Sequence, residues 1–120
     1  MALTETQLRA VVRYPALSRL VALREDHRWT FSIECVEDGG VDLVAGGRLW
    51  PNGWSEAIAV RDTNDVRAFR LDPSWGEVWS REGGLIEVVD TLLELPEPGR
   101  TGAPTLVKGL APRLWVPGRA

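Results

Sequence analysis

The stretch Trp29-Thr30-Phe31-Ser32-Ile33-Glu34-Cys35 decides the fold class, because apolar and polar residues alternate through it without a break. A period of two is typical of a β-strand that buries one face and exposes the other to water. Asp38-Gly39-Gly40 follows with the composition of a turn, so the next apolar segment is expected to run back along the first. The pattern therefore predicts an antiparallel sheet that begins at residue 28.

Turn-forming clusters then recur at intervals of roughly ten residues, which is the spacing of consecutive short strands. They are Asp38-Gly39-Gly40, Pro51-Asn52-Gly53, Asp62-Thr63-Asn64-Asp65 and Asp72-Pro73-Ser74-Trp75-Gly76. These intervals are too short to hold the crossover helix of a parallel β-α-β unit. A five-stranded antiparallel meander is predicted over residues 28–82. Gly46-Gly47 interrupts its second strand and indicates either a bulge or a close approach of another stretch of backbone.

A helical segment is predicted before the sheet, over residues 1–27. Thr4-Glu5-Thr6-Gln7 has the form of a capping box, in which Thr4 precedes the helix and the Gln7 side chain returns to its backbone. Leu8, Val11 and Val12 follow at helical spacing and are expected to form the buried stripe of this helix.

Prolines separate the remaining helices from their neighbours. Pro15 ends the first helix, and a second short helix is expected from residue 16 to about residue 25. A third helix is predicted within residues 83–96, after Gly83-Gly84 and before Pro96. Its apolar face consists of Leu85, Val88, Val89 and Leu92.

The last segment, residues 97–120, is too rich in proline and glycine for regular structure and is predicted to be an extended arm. It is also too apolar for a solvated tail, so it is expected to lie across the domain or to pack on a partner. Its apolar residues are Leu106, Val107, Leu110, Leu114, Trp115 and Val116. Residues 1–120 are thus interpreted as one α+β domain of two helices, a sheet, a helix and an arm.

One cysteine and one histidine exclude several classes of metal and redox site. Cys35 has no second cysteine with which to form a disulfide, which favours a reducing compartment. His27 stands without a paired-cysteine or HExxH pattern, so neither a metal nor a cofactor is predicted. Eight residues of strand would hold Cys35 about 26 Å from His27, which is too far for a catalytic cysteine–histidine pair. No catalytic residues are therefore predicted, and Cys35 is interpreted as a buried apolar residue.

Charge and hydropathy argue against two classes of partner. The formal net charge is −3 and the arginines are spread along the chain, which argues against nucleic acid as a partner. No signal peptide and no run of about 18 apolar residues is visible, so no membrane partner is expected and the predicted location is cytoplasmic.

Two weaker patterns concern anions and acid-base chemistry. Arg81-Glu82-Gly83-Gly84-Leu85 joins a strand to a helix, but it lacks the lysine of a P-loop, so its glycines are interpreted as the start of the helix. Glu34, Glu56 and Glu77 are candidates for the walls of a carboxylate-lined pocket. No spacing marks a catalytic pair among them.

Tryptophan is the most unusual component, with 6 in 120 residues. Trp29 and Trp54 occupy positions expected for the core, whereas Trp50, Trp75 and Trp79 lie at or beside turns. Arginines accompany them on the same strands, among them Arg48, Arg70 and Arg81. Two interpretations stay open: arginine stems that cover indole rings within the fold, or an exposed recognition face rich in the residues that dominate binding hot spots.

The predicted function is that of a non-enzymatic protein-interaction module, of an adaptor, chaperone-like or immunity type. An open sheet face or edge would bind a partner protein, and the free edges of so small a sheet also favour a homodimer. The predicted partner-binding residues are Trp50, Trp75, Trp79, Arg48, Arg70 and Arg81. The alternative is a small-molecule-binding protein or small enzyme with a carboxylate-lined pocket between sheet and helices.

Overall fold

Strands in chain order form a single antiparallel sheet in the computed structural model, which describes residues 4–22, 29–35 and 42–110. The strands are β1 (Thr30–Cys35), β2 (Asp42–Leu49), β3 (Ser55–Asp62), β4 (Asp65–Leu71), β5 (Gly76–Gly83) and β6 (Gly109–Leu110). The helices are α1 (Glu5–Arg13), α2 (Ser18–Ala22) and α3 (Leu85–Glu94). The α+β fold and the five-stranded meander predicted from the sequence are confirmed. The arm adds the two-residue β6 to the outer edge of β5.

The N-terminal helix begins with the capping box expected from the sequence. The Thr4 hydroxyl accepts a hydrogen bond from the Gln7 backbone N–H at 3.1 Å, and the Gln7 side-chain oxygen accepts one from the Thr4 N–H at 3.0 Å. The amide nitrogen of the Gln7 side chain also donates to the carbonyl of Trp29 at 2.7 Å. The cap therefore joins the start of α1 to the start of β1.

The expected buried stripe of α1 is wrong in part. Leu8 and Val12 are exposed, whereas Ala10 and the following Tyr14 are buried against the sheet. The Tyr14 hydroxyl donates to the carbonyl of Arg61, which helps to set the rotation of the helix. Val11 packs half-buried against the core as expected, so the arc of α1 that meets the sheet contains Ala10, Val11 and Tyr14 rather than Leu8, Val11 and Val12.

The second helix is shorter at its start than expected. Pro15–Leu17 winds as a 3-10 turn, and α2 begins only at Ser18. Residues 23–28, which include the predicted end of this helix, lie outside the described residues. An ion pair between Arg19 and Asp90 connects α2 to α3.

The core lies between the helices and one face of the sheet. Side chains from every helix meet apolar residues of β1 to β4 there. The buried members on the sheet are Phe31, Val44, Ile58, Val60, Val66 and Ala68. The helical members are Ala10, Leu20, Leu85, Val88, Val89 and Leu92. The opposite face is exposed at Ser32 and Leu49 and buried at Ala57, Phe69 and Leu71.

The structure shows why one of the two glycines in β2, Gly46, is needed. The pairing of β1 with β2 continues through it without a register shift, so it is not a bulge. A Cβ atom at this position would lie 2.5 Å from the Phe31 ring. Close approach of an aromatic ring is therefore the reason for glycine at position 46.

None of the described helices combines the length and the apolar character that a membrane span requires.

The orientation of the N-terminal segment can be tested with two leucines. Leu17→Ala should lower the free energy of unfolding by about 2–5 kcal/mol, because the side chain is fully buried. Leu8→Ala should change it by less than about 0.5 kcal/mol, because Leu8 is exposed. Denaturant unfolding followed by tryptophan fluorescence measures both values. Similar losses for the two variants would contradict the observed rotation of α1.

Candidate functional site

Three charged side chains lie next to one another across the middle of the sheet and form what we call the ion-pair triad: Arg48, Glu56 and Arg70. Arg48 pairs with Glu56 between β2 and β3, and Glu56 pairs with Arg70 between β3 and β4. Arg48 donates through Nε to Glu56 Oε1 at 2.6 Å, while Arg70 donates through Nε and Nη2 to Oε2 at 2.9 and 2.7 Å. Both oxygens of one carboxylate are thus engaged by two guanidinium groups.

The triad lies inside the protein. The side chains of Arg48, Glu56 and Arg70 are 8%, 0% and 1% exposed. Their positions share a face with Ile58 and Val60, which is the face that the helices cover. Burying such charges costs solvation free energy, and only direct pairing with good hydrogen bonds offsets that cost. Arg70 also donates through Nη1 to the carbonyl of Pro96, so the triad anchors the chain just after α3.

Aromatic rings enclose the outer guanidinium of the triad. The Arg48 guanidinium lies 4.0 Å from the centre of the Trp50 ring and 5.6 Å from that of the Trp29 ring. Trp29 also stacks on Phe31, with ring centres 6.2 Å apart. Arg48 thus packs between two indoles in the interior, and this contact matches the interpretation in which arginines cover indole rings within the fold.

The remaining predicted partner-binding residues are distributed over different surroundings. Trp79 stands opposite Arg70 in the sheet and packs half-buried against the core. Arg81 is exposed, and its Nη2 lies 3.3 Å from a carboxylate oxygen of Glu87. The structure brings Arg48, Trp50, Arg70 and Trp79 together on the helix-covered face rather than on the open face or edge predicted from the sequence. Strand register places them there, because they occupy the positions that face α3.

A cavity of about 100 Å³ adjoins Arg48 between the sheet and the helices. Six apolar side chains and the ends of two charged ones line it. They are Leu20, Trp29, Trp50, Leu92, Leu93, Leu95, Arg48 and Glu97. Its position is the one foreseen for a pocket between sheet and helices, but the carboxylate on its wall is Glu97, which the sequence did not single out. The one sequence feature that marks Glu97 is its place between two prolines directly after α3.

The carboxylates proposed from the sequence do not converge on this cavity. Both oxygens of Glu56 are engaged in the triad. Glu77 lies in β5 on the opposite face, partnered with Leu71 in β4. The side chains of Glu34 and Cys35, and the whole of His27, lie outside what the structure describes. Among the described residues no group of three or more His, Cys, Asp or Glu side chains could hold a metal ion.

Glycine at the β5–α3 junction has the structural role expected of it. Gly84 is the N-cap residue of α3 and has extended backbone angles. The first helical N–H, of Leu85, donates to the carbonyl of Thr63 at 2.8 Å. The junction is therefore bound to the β3–β4 turn.

Exposed apolar side chains gather at the end of the sheet that carries the β2–β3 and β4–β5 turns. We call this the sheet-end surface, and it consists of Leu49, Pro51, Pro73, Trp75, Leu106 and Val107. Trp75 is 38% exposed, Val107 46%, Leu49 65% and Leu106 80%. Trp75 was foreseen as a partner-binding residue, and Leu106 and Val107 were recognised as too apolar for a solvated tail. Leu49 was expected only as a strand residue.

Trp75 is held in an unusual backbone conformation. Its φ is +67°, which lies in the left-handed region that side-chain-bearing residues rarely adopt. The Asp72 carboxylate accepts hydrogen bonds from the N–H groups of Ser74 and Gly76 at 2.9 and 2.8 Å, and the Asp72 carbonyl accepts one from Trp75 at 3.0 Å. The turn thus fixes the backbone from which the exposed indole projects.

Comparison with known proteins adds no relatives to these observations. The chain matches no protein-family model, and neither the curated proteins nor the solved structures give a match.

The triad yields a stability test with a matched surface control. Glu56→Gln should lower the free energy of unfolding by about 3–5 kcal/mol, because two buried guanidinium groups lose their shared negative charge. Glu82→Gln removes the exposed partner of Arg67 and should cost less than about 1 kcal/mol. Both values come from denaturant unfolding. A Glu56→Gln protein as stable as the Glu82→Gln protein would refute a structural role for the triad.

Proposed function

We propose that this protein is a non-enzymatic protein-interaction module that binds a partner protein through the sheet-end surface. The observation that carries the proposal is the exposure of Trp75, Val107, Leu106 and Leu49 at one end of the molecule. Isolated exposed apolar side chains are ordinary, but a gathered group of them is typical of an interaction site.

Contacts between neighbouring turns support treating these residues as one surface. Gly53 approaches Pro73 so closely that a Cβ atom on it would lie 3.3 Å from the proline ring. Gly76 leaves room for Val107, whose methyl carbons would lie 2.9 Å from such an atom. Lys108 donates its N–H to the carbonyl of Glu77 at 2.7 Å and keeps this part of the arm beside β5. The β4–β5 turn and the start of β5 therefore lie against both the β2–β3 turn and the arm.

The composition of the surface suits a protein partner. Trp75 presents a large apolar ring with few rotatable bonds, which is the property that makes tryptophan frequent at binding hot spots. The turn around Asp72 holds the backbone of Trp75 in place before binding, so less backbone entropy is lost on association.

The backbone strain at Trp75 also supports a role of this surface in binding. A left-handed conformation at a non-glycine residue costs on the order of 1 kcal/mol, and such outliers cluster at functional positions. Glycine would adopt the same angles without that cost. A tryptophan at this position is consistent with selection for recognition rather than for stability.

The alternative is an enzyme or a binder of ordinary metabolites, and the cavity beside Arg48 favours it by position. Its volume of about 100 Å³ is well below the roughly 300–1,000 Å³ of usual small-molecule sites. The buried carboxylate nearest to it, Glu56, is engaged by two arginines. The size and chemistry of this cavity therefore give the alternative little support.

The proposal keeps the cytoplasm as the location and an adaptor, chaperone-like or immunity protein as the type. A homodimer through the same surface is the principal competing outcome, since a second copy presents the same apolar residues. Size-exclusion chromatography with light scattering distinguishes a dimer from a monomer that awaits another partner.

Two variants with a matched control test the sheet-end surface. Trp75→Gly removes the indole and retains a residue that accepts φ +67°, and Leu106→Asp places a charge on an exposed leucine of the same surface. Each should weaken partner binding at least about tenfold, as expected for loss of a hot spot. Ile86→Asp, on the exposed side of α3, should leave binding unchanged.

The measurement is quantitative recovery of proteins crosslinked to the purified chain in extracts of its native host, followed by titration of the recovered partner. All variants are first checked for native stability by thermal unfolding. A partner lost equally from all three variants, or from none, would contradict the proposed surface.

A further inference from the structure

We propose that residues 111–120 of this chain dock on the sheet face opposite to the helices, over β3, β4 and β5. The segment continues directly from β6, and it contains the adjacent apolar residues Leu114, Trp115 and Val116. In this position those three side chains and the sheet form a second, smaller core. The docking uses no residue of the sheet-end surface, so it does not depend on the proposed function.

Burial on this sheet face is greatest at the centre of β4. One row of paired residues crosses five strands: Thr30, Gly47, Ala57, Phe69 and Ser80. Thr30 is exposed and Gly47 is half-buried, whereas Ala57 is buried and Phe69 is 0% exposed. A sheet face in contact with water would leave the Phe69 ring accessible, so a layer of chain lies over β3 and β4.

The described elements do not supply this layer. The three helices pack on the other sheet face, where they form the core. The Arg67 guanidinium lies 4.5 Å from the centre of the Phe69 ring, but four residues of strand, about 13 Å, separate Arg67 from Leu71, which is equally buried. The described part of the arm follows the edge of β5, where Lys108 donates its N–H to the Glu77 carbonyl. The layer therefore belongs to a part of the chain outside the described residues.

Of the segments outside the described residues, residues 111–120 start nearest to this layer. Leu110 pairs with Gly76 in β5, and β4 is the next strand of the sheet. Two strand spacings, about 10 Å, thus separate β6 from β4, and a fully extended segment of this length spans up to about 33 Å. The other segments adjoin α1 or β1, near the other edge of the sheet. They are residues 1–3, 23–28 and 36–41.

Polar groups on the face also suit this segment. Ser55, Leu71 and Glu77 form the next row of pairs toward the end of the sheet. The Ser55 Oγ and Glu77 Oε1 atoms are buried, and neither has a hydrogen-bond partner among the described residues. Buried polar atoms ordinarily have a partner. The segment offers backbone N–H groups and the side chain of Arg113, and it contains no acidic residue that would repel Glu77.

The direct test maps the contacts of position 115 in the full chain. A photoreactive phenylalanine analogue takes the place of Trp115, which keeps an aromatic side chain there, and the same analogue takes the place of Leu106 in a matched control. The purified proteins are irradiated, and the crosslinked peptides are identified by mass spectrometry. Position 115 should crosslink to Phe69, Leu71 or their neighbours on β3 and β5, and position 106 should not.

Covalent monomers and dimers are separated before digestion, because this separation identifies the occupant of the face. Crosslinks to this face within the monomer support docking of the chain's own segment. Crosslinks to this face found only in the dimer would identify a second copy as the occupant and overturn the proposal. No crosslink from position 115, crosslinks from it to the helices, or an equal yield on this face from position 106 would also overturn it.

Charge placed on the segment provides a second test. Leu114→Asp combined with Trp115→Asp puts two carboxylates against the apolar face, whereas Thr105→Asp combined with Leu106→Asp puts two on exposed positions of the arm. Oxidative footprinting measures the protection of Phe69. The first variant should lose this protection and the second should keep it.

Thermal unfolding first shows whether both charged variants retain a cooperative transition. A folded Leu114→Asp/Trp115→Asp protein whose Phe69 stays as protected as in the parent protein would contradict the docking. Where this variant does not fold, the crosslinks from position 115 decide the proposal.

Discussion

A single buried carboxylate, that of Glu56, is the constraint on which the central part of the structure depends. It lies between Arg48 and Arg70 and accepts hydrogen bonds from both. A shift of one residue in either strand pairing would turn one arginine to the other face and leave charges buried without a counter-charge. The triad therefore specifies the register of three strands. Through Arg70 it also fixes the chain after α3, which forms part of the cavity wall.

Trp29 and Trp50 differ from Trp75 in what they contribute to the structure. Trp29 and Trp50 pack around the Arg48 guanidinium in the interior, where they serve the fold. Trp75 is held at the surface by the hydrogen bonds of Asp72, in a backbone conformation that stability alone would not favour. The high tryptophan content therefore has two causes, packing in the interior and exposure at the surface. Only the exposed Trp75 supports a role in recognition.

Alternation, turn spacing and capping were sufficient to predict the strands, their antiparallel order and the start of α1. They did not predict which arc of α1 faces the sheet, because Leu8 and Ala10 both belong to a helical repeat and tertiary packing selects between them. Polar residues in a strand are ordinarily assigned to the open face, which explains why Arg48 and Arg70 were expected there. Arg48 and Arg70 can instead lie on the buried face because both pair with Glu56 on the neighbouring strand. Predicting that pairing requires the strand register, which depends on exact turn lengths. The turn over residues 72–76 was predictable from Asp72 and Pro73, but the left-handed position would ordinarily be assigned to a glycine rather than to Trp75.

The account stands on the claim that the fold hides Trp29 and Trp50 and presents Trp75. Oxidative footprinting of the native protein, with modification of each tryptophan quantified by peptide mass spectrometry, measures this directly. Trp75, at 38% exposure, should be modified well before Trp29 and Trp50, at 2% and 8%. Modification of Trp50 as fast as Trp75 would contradict the packed arginine–indole arrangement and, with it, the division of roles on which the proposed function rests.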